Sequence, residues 1–216
     1  MSRFEIDGIY LVTDRHLSGV RTVRDVVSEA VKGGVKVVQL REKDFSAREF
    51  IEETRQIKEI LAPLGIPLII NDRVDVALAV GADGVHLGQS DMPWEMARRI
   101  LGKEAIIGLS VETWEEVVKA ENAAVDYLGV SPVFATPTKT DTKGAWGIDG
   151  LRRIRAISRH RLVAIGGLNE TNAAQVIEAG ADAIAVVSAI CAAPDPCQAA
   201  RSLCEIFERT YKKRHK

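Results

Sequence analysis

Eight short runs rich in β-branched residues alternate with helix-like stretches, and this alternation constrains the fold more than any other feature. The runs are GIYLVTD from Gly8, VKVVQLRE from Val35, PLIIND from Pro67, GVHLGQ from Gly84, AIIGLSV from Ala105, DYLGVSPVF from Asp126, RLVAIGG from Arg161 and DAIAVVSAI from Asp182. Most are apolar with little alternation, which is typical of parallel strands that are covered on both faces. Parallel strands joined by helices are the repeating unit of α/β folds.

The stretches between these runs carry signals for helix starts and stops. Residues 46–49 (SARE) have the S-x-x-E pattern of a capping box, and residues 113–116 (TWEE) repeat it. A Gly-Ala-Asp triplet precedes the fourth run at 81–83 and the eighth at 180–182. Glycine is favoured just past a helix end because it tolerates the left-handed conformation. The repeated unit is therefore a helix, a glycine stop and a strand.

Eight strands that alternate with helices in 216 residues predict an α/β protein, a single (β/α)8 TIM barrel that occupies the whole chain, 1–216. An open, doubly wound sheet is the alternative, although no GxGxxG motif opens the first helix. The one long irregular stretch is FATPTKTDTKGAWG, residues 134–147. Loops of this length in compact domains are usually functional lids or disordered.

The composition argues against several classes of partner. Lys and Arg (29) nearly balance Asp and Glu (30), so the net charge of −1 gives no reason to expect nucleic acid or an anionic membrane. No apolar run is long enough to span a bilayer, and the N-terminus does not resemble a signal peptide. The three cysteines lack zinc-site spacing and are odd in number, so we expect reduced thiols in a cytoplasmic protein. Monomer and oligomer both stay open.

Polar residues follow the predicted strands at the end where (β/α)8 enzymes carry their active sites. In chain order they are Gln39, Arg41, Lys43, Asn71, Asp72, Gln89, Asp91, Ser110, Thr136, Thr138, Lys139, Gly166, Gly167, Val187 and Ser188. This crowding at one rim predicts an enzyme. His86 lies in the middle of its strand, where a buried core histidine is as common as a catalytic one, so it is not assigned to the site.

Gln39, Arg41 and Lys43 alternate along one strand end and are therefore expected to point the same way. Arginine offers a planar fork of donors and lysine a point charge, a combination that suits a polyanion such as a diphosphate. The alternative is a solvated strand end with an Arg-Glu pair. Three successive polar positions on one face are hard to explain as packing and favour anion binding.

Asp72 and Asp91 follow consecutive strands. Neighbouring strands lie about 4.8 Å apart, so the two carboxylates can reach one ion. Mg²⁺ prefers hard oxygen ligands and commonly combines one or two carboxylates with phosphates. The alternative is that each aspartate caps the helix that follows it.

The last two strand ends predict a second anion site. Gly166 and Gly167 follow the seventh run and Ser188 follows the eighth, where barrel enzymes bind phosphate through backbone N–H groups. A tight glycine turn without a ligand is the alternative.

These residues together resemble the thiamine phosphate synthase family. The matching motifs, in the family's order, are YLVTD (10–14), QLREK (39–43), NDR (71–73), GVHLGQSD (84–91), GLS (108–110), ATPTK (135–139), AIGG (164–167) and VVSAI (186–190). QLREK, NDR, HLGQSD and TPTK are specific in combination, whereas AIGG alone is not. The segment KGAWGIDG, residues 143–150, matches the family least well.

The resemblance implies a transferase that condenses hydroxymethylpyrimidine diphosphate with a thiazole phosphate, plain or carboxylated, to give thiamine phosphate and pyrophosphate. The implied reaction is a dissociative, magnesium-assisted alkyl transfer, in which the enzyme neutralises the leaving group and positions the nucleophile. Carried over by position, Gln39, Leu40, Arg41, Glu42, Lys43, Asn71, Ser110 and Lys139 would hold the pyrimidine diphosphate, and Arg41, Lys43, Ser110 and Lys139 among them would be catalytic. Thr136, Pro137, Thr138, Gly167, Val187 and Ser188 would hold the thiazole phosphate, and Asp72 and Asp91 would bind Mg²⁺.

Two other functions remain open from the sequence. A thiazole tautomerase on a related barrel would need the thiazole phosphate site but not the diphosphate grip, and QLREK, NDR and Asp91 argue against it. A non-catalytic phosphate-binding protein is never excluded by fold alone. The density of polar residues at the rim argues against that second alternative.

Overall fold

The computed structural model describes residues 6–136 and 143–215, which form a closed barrel of parallel strands in the order β1 to β8, with β8 paired to β1. The strands are β1 (Gly8–Val12), β2 (Val37–Leu40), β3 (Leu68–Asn71), β4 (Gly84–Leu87), β5 (Ile106–Val111), β6 (Tyr127–Val130), β7 (Arg161–Ile165) and β8 (Ala183–Val186). The helices are α1 (Val23–Lys32), α2 (Ala47–Leu61), α3 (Val74–Val80), α4 (Trp94–Leu101), α5 (Trp114–Ala120), α6 (Gly147–Ile157), α7 (Ala173–Glu178), α8 (Ser188–Cys191) and α9 (Pro196–Arg214), with a 3₁₀ turn at Ala62–Leu64. The predicted (β/α)8 barrel is confirmed.

Buried side chains form two layers, one inside the barrel and one between the strands and the helices. The inner layer contains Ile6, Tyr10, Val12, Val37, Ile69, Ile106, Tyr127, Val163, Ala183 and Ala185. The outer layer is larger and includes the residues that alternate with these along the strands, such as Leu11 and Val38. Burial on both faces explains why the strands read as nearly continuous apolar runs.

The helix signals read from the sequence are confirmed, whereas the strands are shorter than their runs. Ser46 and Thr113 each form a complete capping box at the start of α2 and α5. Gly81 ends α3 in the left-handed conformation, with φ 62°. Strand β2 stops at Leu40 and β8 at Val186, so the polar residues that follow them belong to loops and to the first turn of α8.

Aspartates that precede β4, β6 and β8 tie the amino-terminal end of the barrel together. The carboxylates of Asp83, Asp126 and Asp182 accept hydrogen bonds from the backbone N–H of Leu68, Ile107 and Leu162, each at 2.8 Å. The recurring Gly-Ala-Asp triplet therefore combines the end of a helix with a link between neighbouring strands. Asp182 is almost fully buried and also pairs with Arg155, Arg161 and Arg214, at 3.0, 3.6 and 3.3 Å.

Two expectations from composition can be compared with the structure. None of the helices in the described part of the chain combines the length and apolarity needed to cross a membrane. Cys191 is buried, Cys197 and Cys204 are half-buried, and all three are free thiols, as expected.

Replacing Asp182 with alanine should destabilise the fold. The change leaves the Leu162 N–H and three guanidinium groups without their shared carboxylate, so we expect the free energy of unfolding in urea to fall by roughly 2–4 kcal/mol. Asp149→Ala removes an exposed carboxylate that pairs with Arg152 and should change it by less than about 0.5 kcal/mol. Equal stability of the two variants would contradict a structural role for Asp182.

Candidate active site

The carboxyl ends of the strands surround an open cavity of about 390 Å³. This volume lies in the range of small-molecule sites, about 300–1,000 Å³. Among the predicted rim and site residues, the cavity is lined by Gln39, Arg41, Lys43, Asn71, Asp72, Gln89, Asp91, Ser110, Thr136, Gly166, Gly167, Val187 and Ser188. The structure thus brings residues that are distant in sequence to one place.

The remaining predicted residues do not line the cavity or lie outside the described chain. Leu40 is buried in the outer layer, between the strands and the helices. The Glu42 carboxylate faces away from the cavity and pairs with Arg15. Pro137, Thr138 and Lys139 fall within residues 137–142, outside the described residues, so their roles and that of 134–147 as a lid stay predictions.

Asp72 and Asp91 approach each other at the ends of β3 and β4. Among the described residues, Asp72 is the non-glycine residue with a positive φ, 62°. Its carboxylate accepts a hydrogen bond from Lys43 Nζ at 2.6 Å, and Asp91 Oδ2 accepts one from the Gly88 N–H at 2.7 Å. Helices α3 and α4 begin after Arg73 and Pro93 without side-chain caps, so the capping alternative for the two aspartates is wrong.

The two carboxylates perturb each other. Burial raises the pKa of Asp91, the hydrogen-bonded carboxylate of Asp72 raises it further, and the Gly88 N–H and Lys43 partly oppose the shift. A pair of hard oxygen donors in mutual repulsion fits a divalent cation such as Mg²⁺. In the described part of the chain no group of three or more His, Cys, Asp or Glu side chains comes together, so substrate or water oxygens would have to complete the coordination.

Arg41 and Lys43 supply positive charge on the same side of the cavity, as their alternation predicted. The backbone N–H of Arg41 donates to Thr13 Oγ1 at 3.0 Å, and its guanidinium lies 4.0 Å from Asp14. The arginine that pairs with Glu42 is Arg15, not Arg41. Arg41 therefore faces the cavity, and the carboxylate that pairs with it within 6–136 and 143–215 lies at the long distance of 4.0 Å, an arrangement suited to an anionic ligand.

The opposite side of the cavity is a tight glycine turn after β7. Gly167 has φ 65°, and a Cβ there would lie 2.9 Å from Phe134 Cβ, so only glycine fits. Asn172 Nδ2 donates to the Gly167 carbonyl at 2.8 Å and holds the turn. Val187 and the first residue of α8, Ser188, lie beside it in the cavity wall. Unpaired N–H groups of a first helical turn suit a phosphate.

A chain of hydrogen bonds crosses the floor of the cavity and includes His86, which the sequence left unassigned. Gln39 Nε2 donates to the Tyr10 hydroxyl at 2.9 Å, and the Tyr10 and Tyr127 hydroxyls lie 2.9 Å apart. His86 Nδ1 lies 3.0 Å from the Tyr127 hydroxyl and Nε2 lies 2.8 Å from Ser110 Oγ. The signal in the sequence was a pair of glycines within strands, which mark close approach of a neighbouring group.

Those glycines are Gly108 and Gly129. A Cβ on Gly108 would lie 2.1 Å from Tyr127 Cζ, and one on Gly129 would lie 2.8 Å from His86 Cε1. The strands therefore leave space for the two rings, which stack with their centroids 5.5 Å apart.

Lys143 and Glu116 form a second ion pair at the cavity wall that the sequence did not predict. Lys143 Nζ donates to Glu116 Oε1 at 2.7 Å, while Glu116 Oε2 accepts from the Glu112 N–H at 2.7 Å. Burial alone would raise the pKa of Glu116, but Lys143 and the backbone donors outweigh burial and lower it. The segment 143–150, which matches the family motifs least, is thus anchored to α5.

The fold and the site define a (β/α)8 barrel with charged side chains around a cavity at the carboxyl ends of its strands. Residues 9–190 match the family described as thiamine monophosphate synthase. The thiamine-phosphate synthase of Albidiferax ferrireducens is 58% identical over 200 residues, covering 93% of this chain and 91% of that protein. The one of Leptospira biflexa is 56% identical over 203 residues, covering 92% and 97%. This chain belongs to the thiamine monophosphate synthase family.

A solved structure agrees with this assignment. The thiamine phosphate pyrophosphorylase from Pyrococcus furiosus superposes with a TM-score of 0.87 at 40% identity, covering 94% of this chain and 96% of that one.

The raised pKa of Glu42 should make its contribution to the free energy of unfolding fall as pH rises, whereas a carboxylate with a lowered pKa has the opposite effect. Burial first, and then the hydrogen-bonded neighbour Glu53, raise the pKa of Glu42 from 4.5 to about 7, against the opposing effect of Arg15. Between about pH 4.5 and 7, the folded state therefore keeps a proton on Glu42 that the unfolded state has already released. The contribution of Glu42 to the free energy of unfolding falls as pH rises through that window.

We expect Glu42→Gln to remove this contribution. In urea unfolding between about pH 4.5 and 7, the free energy of unfolding of the variant should rise with pH more steeply than that of the unmodified chain. Glu59→Gln, at an exposed position on the same helix α2 that carries Glu53, is the matched control. Parallel pH profiles for all three proteins would contradict a raised pKa of Glu42 in the folded state.

Proposed function

We propose that this chain is a thiamine-phosphate synthase, which transfers the pyrimidinylmethyl group of hydroxymethylpyrimidine diphosphate to the nitrogen of a thiazole phosphate and releases pyrophosphate. The observation that carries the proposal is the placement of two cations and a carboxylate pair opposite a glycine turn in one cavity. The reaction has two anionic substrates and an anionic leaving group. A cavity with two separate anion-binding sides matches that requirement.

The side formed by β2, β3 and β4 would hold the diphosphate. Arg41 and Lys43 face the cavity from the loop after β2, and the Lys43 ammonium lies on the Asp72 carboxylate at 2.6 Å. When the carbon–oxygen bond breaks, negative charge grows on the departing pyrophosphate, and fixed cations stabilise that charge without reorganising. Ser110 lines the same cavity as a neutral donor.

Asp72 and Asp91 would hold Mg²⁺, because their facing oxygens need a cation and are of the type this ion prefers. The bound ion supplies positive charge for the leaving pyrophosphate. Lys43 already compensates part of the charge on Asp72, and this reduces the repulsion between the Asp72 and Asp91 carboxylates.

The side formed by β7 and β8 would hold the thiazole phosphate. The Gly167 turn is fixed by Asn172 and by its contact with Phe134, and Ser188 opens α8 beside it. Holding the phosphate there would position the thiazole nitrogen against the methylene carbon that is attached to the pyrimidine ring. Positioning of this kind removes much of the entropic cost of a two-substrate reaction. No strong general base is needed, because the nitrogen attacks with its own lone pair.

The reaction itself is the direct test. Purified protein is mixed with hydroxymethylpyrimidine diphosphate, a thiazole phosphate and Mg²⁺, and the product is oxidised and read as thiochrome fluorescence, with a parallel sample that contains EDTA. We expect a signal that needs both substrates and Mg²⁺. Folded protein that gives no signal with either the plain or the carboxylated thiazole would contradict the proposal and favour the tautomerase alternative.

Asp91→Ala should keep the fold and lower kcat by about a hundredfold or more, the scale on which loss of one preorganised electrostatic group acts. Steady-state thiochrome assays check the loss, and circular dichroism checks the fold. The matched control is Asp75→Ala, which removes an exposed carboxylate paired with Arg73 at the start of α3. Full activity of Asp91→Ala would contradict the metal assignment.

Gly167→Ala should weaken thiazole phosphate binding selectively. The added Cβ would displace the turn, and we expect the KM for thiazole phosphate to rise roughly tenfold, the effect of about one lost hydrogen bond to a charged group, with little change for the pyrimidine diphosphate. Gly65→Ala is a sharp control, because Gly65 has nearly the same φ, 64°, but nothing within 4 Å of its added Cβ. Equal KM changes for both substrates would count against the assignment.

A further inference from the structure

The hydrogen-bond chain across the cavity floor joins two cavity-lining groups, the Gln39 amide and the Ser110 hydroxyl, through three rings. Its links measure 2.9, 2.9, 3.0 and 2.8 Å in order. Tyr10 and Tyr127 are fully buried, and each sits in the inner layer of the barrel. In a chain of short, buried hydrogen bonds the protons all point one way along the chain. The reason is that each hydroxyl has one proton and can donate it only to an atom with an available lone pair.

The direction follows from counting donors. Gln39 Nε2 donates to the Tyr10 oxygen, so the Tyr10 proton must go elsewhere, and the Tyr127 oxygen is the other partner that the described residues offer it. Burial raises the pKa of both phenols far above neutrality, so both keep their protons. The Tyr127 proton then goes to His86 Nδ1. In a neutral imidazole, the proton consequently sits on Nε2 and points at Ser110 Oγ.

We propose that Tyr127 and His86 are positioning residues that fix Ser110 as a hydrogen-bond donor toward the substrate. Ser110 Oγ accepts from His86 Nε2–H, so its own proton is directed into the cavity. At the other end, Gln39 uses its Nε2 on Tyr10 and keeps its carbonyl oxygen as an acceptor. The proposal rests on the proposed function for the identity of the substrate, which carries a ring amine as donor and a diphosphate as acceptor.

The architecture around the chain supports this role. Gly108 and Gly129 leave space where any side chain would meet the Tyr127 and His86 rings, at 2.1 and 2.8 Å. The backbone carbonyl of His86 accepts the Asp72 N–H at 2.9 Å, so the strand that carries His86 also supports the carboxylate pair. The opposite direction would put the imidazole proton on Nδ1 and turn Ser110 into an acceptor toward the cavity. An acceptor there would repel a diphosphate.

Nitrogen NMR of the unmodified chain tests the direction without any assay. The protein has four histidines, and variants of His16, His160 and His215 assign the His86 signals by elimination. Long-range ¹H–¹⁵N correlation spectra distinguish a proton on Nε2 from one on Nδ1. We expect the His86 proton on Nε2. A proton on Nδ1 would overturn the proposal, even if the protein synthesises thiamine phosphate.

A double-mutant cycle tests the consequence for catalysis. Tyr127→Phe removes the donor to His86 Nδ1 with little change of shape and should lower kcat on the order of tenfold, the kinetic equivalent of about one hydrogen bond. The variant Ser110→Ala already lacks the hydroxyl at the end of the hydrogen-bond chain. Adding Tyr127→Phe to it should therefore lower kcat by less than about twofold further. Independent effects, with the double variant about tenfold slower than Ser110→Ala, would overturn the proposal.

Thr54→Val is the matched control for burial. It removes another buried hydroxyl, which donates to the Phe50 carbonyl within α2, and should leave both kcat and the His86 tautomer unchanged. The experiments also distinguish a failure of the proposed function from a failure of the positioning role. An inactive protein with the proton on Nε2 would contradict the proposed function alone, whereas an active protein with the proton on Nδ1 would contradict the positioning role alone.

Discussion

Parallel pairing of β8 with β1 is the constraint on which the rest of the structure depends. Because the barrel closes with all of its strands parallel, every carboxyl end meets at one rim and every amino end at the other. The amino-terminal rim is held by Asp83, Asp126 and Asp182, whose carboxylates link neighbouring strands. The carboxyl-terminal rim is then free to carry groups that do not stabilise the fold, and its residues can be chosen for chemistry.

The carboxyl-terminal rim holds charges that neighbouring side chains balance only in part. Asp72 and Asp91 face each other, and burial and mutual repulsion raise the pKa of Asp91. Asp72 takes a left-handed backbone conformation that non-glycine residues seldom adopt, which is typical of functional sites held by the surrounding fold. Arg41 faces the cavity with Asp14 at 4.0 Å as its counter-charge. This geometry is compatible with the proposed cation and polyanion.

Much of this arrangement was predictable from the sequence because it depends on strand order and alternation. Placing Asp72 and Asp91 side by side needed only two consecutive parallel strands. Strand alternation alone also predicts that Leu40 and Glu42 turn away from Gln39, Arg41 and Lys43, as the structure shows. The roles that the family resemblance implies for Leu40 and Glu42 stay predictions. The link from Tyr10 through Tyr127 to His86 was not predictable, since it depends on tertiary contacts between residues up to 117 positions apart.

The central claim is that one cavity binds two anions at once, on opposite sides. Calorimetric titration of thiazole phosphate into protein already saturated with magnesium pyrophosphate tests it most directly. If the two anion sites are separate, one thiazole phosphate should still bind per chain. Its affinity should be similar to, or greater than, its affinity in the absence of pyrophosphate. Competition between the two ligands, with the apparent Kd for thiazole phosphate rising in proportion to pyrophosphate concentration, would mean a single anion site and would contradict the account.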